Sequence, residues 1–206
     1  MSEITAITEQ MKDKTRCSVY VDGRFCCGLT LETVMKNRLK GGQAISAERL
    51  MEIQLESEKN TALDKALNFI SRSQKTEKQI ADYLAKKGYL PAVCEYVLEK
   101  MRGYSFVDDG QYAKAYAENA LSKKGKRLIK AELKGKGVGE DEIDRAMEEL
   151  DPEQELSTAK RLLEKYMRNK ITDKPTLQKA YRYLLSKGYD YDTAKSAMES
   201  LGVDDE

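Results

Sequence analysis

Histidine is absent from all 206 residues. Imidazole is the commonest general base near neutral pH, so Ser-His and Cys-His nucleophile arrangements are excluded. The cysteines are Cys17, Cys26, Cys27 and Cys94, and no two of them form a CxxC pair. A zinc site therefore lacks both its usual ligand types in their usual spacing. The four thiols read as reduced, packed cysteines of a cytoplasmic protein. Proline is scarce, at three residues. No apolar run approaches the roughly 20 residues that a membrane span needs, so no membrane partner is expected. The N-terminal stretch MSEITAITEQMKDK has no apolar core of the kind a secretory signal requires. Charge of one sign is also missing in sum, because the net charge is only +1.

Charged residues make up 34% of the chain and hydrophobic ones 40%. That balance predicts a helix-rich protein with a thin core rather than a disordered one. The first sixty or so residues differ from the rest. The run RCSVYVDGRFCCGLTL contains two β-prone segments around Asp22-Gly23, a pair suited to a type I′ turn. A small antiparallel sheet is predicted there, with Val19, Val21, Phe25 and Cys27 among its apolar residues. TLETVMKNRL should follow as a helix capped by Thr30, with Leu31, Val34, Met35 and Arg38 at helical spacing and Gly41-Gly42 ending it. A second helix should start after Ser46.

From about Ala62 onward one pattern recurs three times. Aligning Gly88, Gly137 and Gly188 gives a period of about fifty residues. Ile80, Ile129 and Ala180 then coincide. So do Leu84, Leu133 and Leu184, then Val97, Ala146 and Ala197, then Met101, Leu150 and Leu201. Each position is apolar, and steps of four place them on one helix face. A helical run also precedes each unit. Thr76 and Gln79 have capping-box spacing. Pro91 and Pro175 suit first helical turns. The three glycines suit left-handed helix ends.

These signals predict a mainly α fold: an elongated tandem array of three three-helix repeats with a small N-terminal α+β module. The expected boundaries are residues 1–60 for the module, then 61–110, 111–154 and 155–206 for the repeats. Units this small bury too little apolar surface to stand comfortably alone, so stacking should complete their cores.

Charge collects locally. Lys123, Lys124, Lys126, Arg127, Lys130, Lys134 and Lys136 face one acid, Glu132, within Ser122–Lys136. The following stretch is acidic, from Glu140 to Glu153. The third repeat opens basic again with Lys160, Arg161, Lys165, Arg168 and Lys170. Segregation on this scale suggests a basic surface for phosphate or an acidic protein groove, apart from an acidic surface. Lys126, Arg127 and Lys130 fall near the expected start of a helix, where cations oppose the dipole. Stability alone does not account for them, which favours a binding role. The candidate face is Lys123, Lys124, Lys126, Arg127, Lys130, Lys134, Lys160, Arg161, Lys165 and Arg168. Interleaved tyrosines read mainly as packing residues, with one or two available to stack on bases.

No chemistry-bearing constellation emerges. GKGVGE lacks the strand and the terminal Lys-Ser/Thr of a phosphate loop. Asp108-Asp109 reads as an N-cap and turn before Gln111 rather than a metal pair. Neither an enzyme, a cofactor nor a metal site is expected.

Several stretches, in order, resemble one family. They are KTEKQIADYLAKKGY, FVDDGQYAKAYAENAL, KGKRLIKAELKGKGV with the acidic helix after it, and TAKRLLEKYM. The N-terminal VYVDGRFCCGLTLETVMKNRLKGGQ also fits the extension of its longer members. The chain resembles the RecX family of bacterial recombination regulators over nearly its whole length. The resemblance implies tandem three-helix repeats and a non-catalytic monomer that binds RecA, mainly its filament on single-stranded DNA. It further implies inhibition of strand exchange, ATP hydrolysis and co-protease activity, and so a role in DNA repair and the SOS response. Two other readings stand beside it: a direct DNA-binding regulator with helix-turn-helix-like units, and a helical adaptor for another protein.

Overall fold

The structure is a computed structural model that describes residues 2–11 and 13–201. It divides into two compact units. One holds the chain up to Ser73 together with Ile80–Phe106. The other holds Gln74–Gln79 and the chain from Val107 onward.

The first unit begins with a four-stranded antiparallel sheet in the order β3-β2-β1-β4. Its strands are β1 (Ser2–Gln10), β2 (Asp13–Val21), β3 (Arg24–Thr30) and β4 (Gln43–Ile45). Asp22 and Gly23 both take positive φ, 49° and 77°, so the Asp-Gly pair makes the tight β2–β3 turn its sequence predicts. Alternation along the strands puts Ile4, Cys17, Val19, Cys27 and Leu29 into one core with Val34, Ile45, Leu50 and Ile53. Phe25 lies on the other face, exposed and edge-on to Tyr20.

Helix α1 (Leu31–Lys36) is capped by Thr30, whose hydroxyl accepts from the Thr33 amide at 3.1 Å. It is shorter than its apolar spacing suggests. Arg38 takes φ +49° and turns the chain, so Arg38 is not on the helix and Met35 is exposed. Helix α2 (Ala47–Ile70) starts at its Ser46 cap and runs unbroken through 24 residues. The boundary expected at 60/61 therefore falls inside one helix. No glycine or proline interrupts that stretch, and Ala62 and Ala66 continue the buried face begun by Leu50 and Ile53.

The remaining helices are α3 (Glu77–Lys86), α4 (Pro91–Gly103), α5 (Asp109–Leu121), α6 (Lys126–Gly135), α7 (Glu140–Glu148), α8 (Pro152–Met167), α9 (Lys174–Ser186) and α10 (Tyr191–Glu199). Three triplets follow: α2-α3-α4, α5-α6-α7 and α8-α9-α10. The repeat register is the core. Ile80, Leu84, Val97 and Met101 are fully buried. Ile129, Leu133, Ala146 and Leu150 are buried in the second triplet, and Ala180, Leu184 and Ala197 in the third.

Local signals set the helix ends. Thr76 and Gln79 form the reciprocal capping box, at 3.1 and 3.2 Å. Each middle helix ends in the same double-bonded turn. Tyr89, Val138 and Tyr189 amides reach back to Leu84, Leu133 and Leu184 carbonyls, while Gly88, Gly137 and Gly188 sit at φ 87°, 87° and 90°. Only glycine occupies that left-handed position without penalty.

Candidate functional site

The first turns of α6 and α3 show what much of the charge does. Within the second unit the C-terminal turn of α9 meets the first turn of α6 end to end. The Gly125 amide donates to the Lys187 carbonyl at 3.0 Å, and the Arg127 amide to the Gly188 carbonyl at 3.1 Å. The approach is so close that a Cβ on Gly125 would stand 2.5 Å from the Gly188 backbone. The Arg127 guanidinium donates to the Leu185 carbonyl at 2.9 Å, and the Lys126 ammonium to the Leu150 carbonyl at 3.3 Å. Cations at a helix start thus have a structural reason: they serve the electronegative C-terminal ends of α9 and α7. The stability argument that singled them out for binding does not survive this geometry.

An acid completes the joint. Glu155 of α8 is buried and accepts from the Lys126 amide at 2.9 Å. Burial pushes its carboxyl up from the usual range, and the amide bond and the Lys126 charge offset part of that rise. The same construction recurs where the turn after α6 meets residues 76–79. The Thr76 hydroxyl donates to the Lys136 carbonyl at 2.6 Å, and Asp109 accepts from the Glu77 amide at 3.0 Å. Lys78 packs over Gly137. Asp109 too is pushed up by burial. Its neighbour Asp108 caps α5 through the Gln111 amide at 2.8 Å. Asp108-Asp109 is therefore a cap beside a joint residue. Among the described residues no group of three or more Cys, Asp and Glu is placed to hold a metal ion.

Other candidate cations are neutralised in space. The basic α6 and the acidic α7 are adjacent, so Lys130 pairs with Asp144 at 2.7 Å and Lys134 with Glu140 at 3.8 Å. Lys124 lies 2.5 and 2.7 Å from the two Glu132 oxygens, and Tyr116 donates to the same carboxylate at 2.6 Å. Lys124 first and Tyr116 second hold Glu132 below the usual carboxylate range. Burial, with the Glu132 bond, pushes the Tyr116 hydroxyl up to about 12.

What remains is a smaller basic face. Arg161 of α8 donates to the Ser122 carbonyl at 2.8 Å, which brings α8 beside Lys123. Arg161, Lys165 and Arg168 are exposed and recur at helical spacing. Lys123, Lys160, Lys165 and Arg168 form no ion pair among the described residues. Lys160 and Arg161 border an open hollow with Glu153, Leu156, Ser157 and Glu164. Of the ten cations singled out in the sequence, five gather here: Lys123, Lys160, Arg161, Lys165 and Arg168.

Sequence reasoning missed a second basic hollow. An open cleft of about 510 Å³ is lined by Lys174, Arg182 and Lys195 with Leu177, Tyr181 and Met198. Its cations stand singly along the successive helices α9 and α10, with Glu199 among them, so no charge run announced them. The tyrosines are largely committed to packing. Phe69 stacks on Tyr83 at 4.2 Å and Tyr166 on Tyr183 at 4.5 Å, while Lys136 covers Tyr116. Cys17, Cys27 and Cys94 are buried and Cys26 is exposed, all as free thiols. No helix among the described residues is long and apolar enough to cross a membrane.

Comparison with known proteins agrees with this architecture piece by piece. Residues 2–46 match the regulatory protein RecX N-terminal domain. Residues 62–101, 108–147 and 153–198 match the first, second and third RecX three-helix domains. The chain belongs to the RecX regulatory protein family. A regulatory protein RecX from Clostridium perfringens (strain 13 / Type A) is 35% identical over 205 residues, covering 98% of this chain and 97% of that protein. One from Clostridium beijerinckii is 31% identical and covers both chains completely. A crystal structure of a regulatory protein RecX superposes with a TM-score of 0.72 at 26% identity, over 97% of this chain and all of that one. The RecX of Lactobacillus salivarius shares the fold, with a TM-score of 0.65 at 21% identity over 70% of this chain and 97% of that one. The expected family and the mainly helical three-repeat fold with its N-terminal sheet both stand.

Proposed function

We propose that this chain binds RecA, chiefly as the filament on single-stranded DNA, and restrains its recombinase, ATPase and co-protease activities. It thereby tempers DNA repair and the SOS response in the cytoplasm. The observation that carries the reading is membership of the RecX regulatory family along the whole chain, from the N-terminal domain through all three repeats. The contact we assign is the face of Lys123, Arg161, Lys165 and Arg168, with Lys160 at its flank. None of these five forms an ion pair among the described residues, and none lies at the ends of α7 and α9 that engage Lys126 and Arg127. Unneutralised cations favour acidic protein surfaces and phosphate over neutral partners.

The test is ATP hydrolysis by RecA on single-stranded DNA, titrated with the protein. The expected result is inhibition at substoichiometric ratios. Charge reversal at Lys123, Arg161, Lys165 and Arg168 together should raise the inhibiting concentration at least about tenfold, equivalent to ~1.4 kcal/mol, with helix content unchanged. Full ATPase activity at excess protein would overturn the reading.

A direct hold on DNA by the same cations is the second reading, favoured by their exposure without carboxylate partners. Neutralising about four phosphates should give a log–log salt slope near −3 to −4. Filament binding that persists with a flat salt response excludes it.

A further inference from the structure

Among the described residues, two of the three middle-helix turns receive a helix start, and the third does not. At α9 the receiver is the Lys187–Gly188 turn with Glu155. At α6 it is the Lys136–Gly137 turn with Asp109. At α9 the turn offers the Lys187 and Gly188 carbonyls to two amides, and at α6 the Lys136 carbonyl takes the Thr76 hydroxyl; in both, an acid on the repeat's first helix takes the amide of the residue after the N-cap. The glycine leaves room for the incoming chain.

The first repeat carries the same three parts. Its turn is Lys87–Gly88, with φ +87° at Gly88 and the same pair of bonds back to Leu84 and Ala85. Its acid is Glu58. The helices α2, α5 and α8 end at Ile70, Leu121 and Met167. Stepping back by fours along each buried face passes Ala66 and Ala62, Ala117 and Ala113, Leu163 and Ala159. It reaches Glu58, Asp109 and Glu155 respectively. Yet no helix start among the described residues is docked there. Lys87 and Gly88 are exposed, a Cβ on Gly88 would meet no atom within 4 Å, and no hydrogen bond to either carbonyl is made among the described residues. Among the described residues Glu58 takes a weak bond from the Gln54 amide group at 3.3 Å and no backbone amide. The Cys27 thiol on its other side is pushed up by burial and, in lesser part, by the Glu58 charge.

We propose that the Lys87–Gly88 turn and Glu58 form a docking site for the first turn of an α-helix supplied by a partner protein. The internal joints define the partner's chemistry. Its N-cap is Gly, Ser or Thr, as Gly125 and Thr76 are. Its next two amides are free to donate, and a cation at the second helical position reaches the turn's carbonyls, as Arg127 does. The alignment of helix ends adds a favourable dipole interaction. A second copy of this chain is a poor occupant through the matching helix, α9. Asp173 fills its N-cap position and is already bonded to the Thr176 amide at 2.9 Å, and Pro175 stands where Arg127 supplies its amide. The proposal stands apart from the RecA reading, since it follows from the joints alone.

The experiment uses the full chain, isotopically labelled, titrated by NMR with a hydrocarbon-stapled helical peptide of residues 122–136, the segment that fills the equivalent turn of α9. Saturable shifts at the amides of Glu58, Lys87, Gly88 and Tyr89 are expected. The Gly88→Asn variant keeps a residue that tolerates positive φ but obstructs the approach, and should weaken binding about tenfold or more. Glu58→Ala should weaken it without touching the turn. A peptide carrying Gly125→Val should lose the shifts at equal charge. Equal binding of both peptides means charge alone holds them, and overturns the proposal. So does the absence of saturable shifts at those four amides, or shifts confined to Lys187–Tyr189, where the peptide would merely displace α6.

Discussion

Gly125→Ala isolates the end-to-end joint between α9 and α6. Gly125 has φ −81° and ψ 162°, a conformation open to any residue, so the substitution carries no backbone penalty of its own. The added methyl would stand 2.5 Å from the Gly188 carbonyl carbon, its oxygen and the Tyr189 nitrogen. All three are backbone atoms and cannot rotate away, so the two turns must separate by about 1 Å to restore contact distance near 3.5 Å. That shift breaks the bonds from the Gly125 and Arg127 amides, at 3.0 and 3.1 Å, and the guanidinium bond at 2.9 Å. Three bonds at ~1 kcal/mol each amount to about 3 kcal/mol. Loss of unfolded-chain freedom returns roughly 0.4–1 kcal/mol, leaving a net destabilisation of about 2 kcal/mol. Urea unfolding followed by circular dichroism measures it, and hydrogen exchange should show the Arg127 amide losing protection. Gly135→Ala is the control. It sits on the same helix with nothing within 4 Å, and should stabilise by up to about 1 kcal/mol. If Gly125→Ala is as stable as the parent while Gly135→Ala behaves as stated, the joint is not under close-packing constraint and the reasoning fails.

Glu155→Ala leaves the Lys126 amide without its acceptor and should cost about 1–3 kcal/mol in urea unfolding. Glu155→Gln keeps an acceptor oxygen and removes a buried charge. The folded carboxyl is raised above its unfolded value of 4.5, so the folded chain binds the proton more tightly, and stability falls as pH rises through the folded value. The glutamine variant should lack that fall and exceed the parent at neutral pH; an identical pH profile would show that burial does not penalise the charge. Tyr189 is fully buried, its hydroxyl has no hydrogen-bond partner among the described residues, and burial pushes its ionisation to about 12. Tyr189→Phe should therefore be neutral or stabilising by about 1 kcal/mol in thermal unfolding, whereas a clear loss would mean the hydroxyl is bonded. Leu133 is fully buried in the second repeat's core, and Leu133→Ala should cost about 2–5 kcal/mol by urea titration.

Local chemistry made much of this protein readable from its residues alone. Asp-Gly at positions 22 and 23, the Thr76–Gln79 box, the Asp108 cap and the three turn glycines depend on neighbours a few residues away, so their sequence meaning carries directly into structure. The apolar register through Leu84, Leu133 and Leu184 is equally local, because a helix face is set by spacing alone. The fate of the charges was not readable. Whether Lys130 is free depends on Asp144, and whether Lys126 opposes a dipole or serves one depends on the ends of α7 and α9. Asp109 read only as part of a cap and turn, and its role and that of Glu155 at the joints depend on turns that reach them from distant parts of the chain. Periodicity determines which face of each helix is buried, since that is a property of one element. Pairing, desolvation and the open Lys87–Gly88 turn were decided only when distant elements met, since electrostatic energy depends on distance in space and not on distance along the chain.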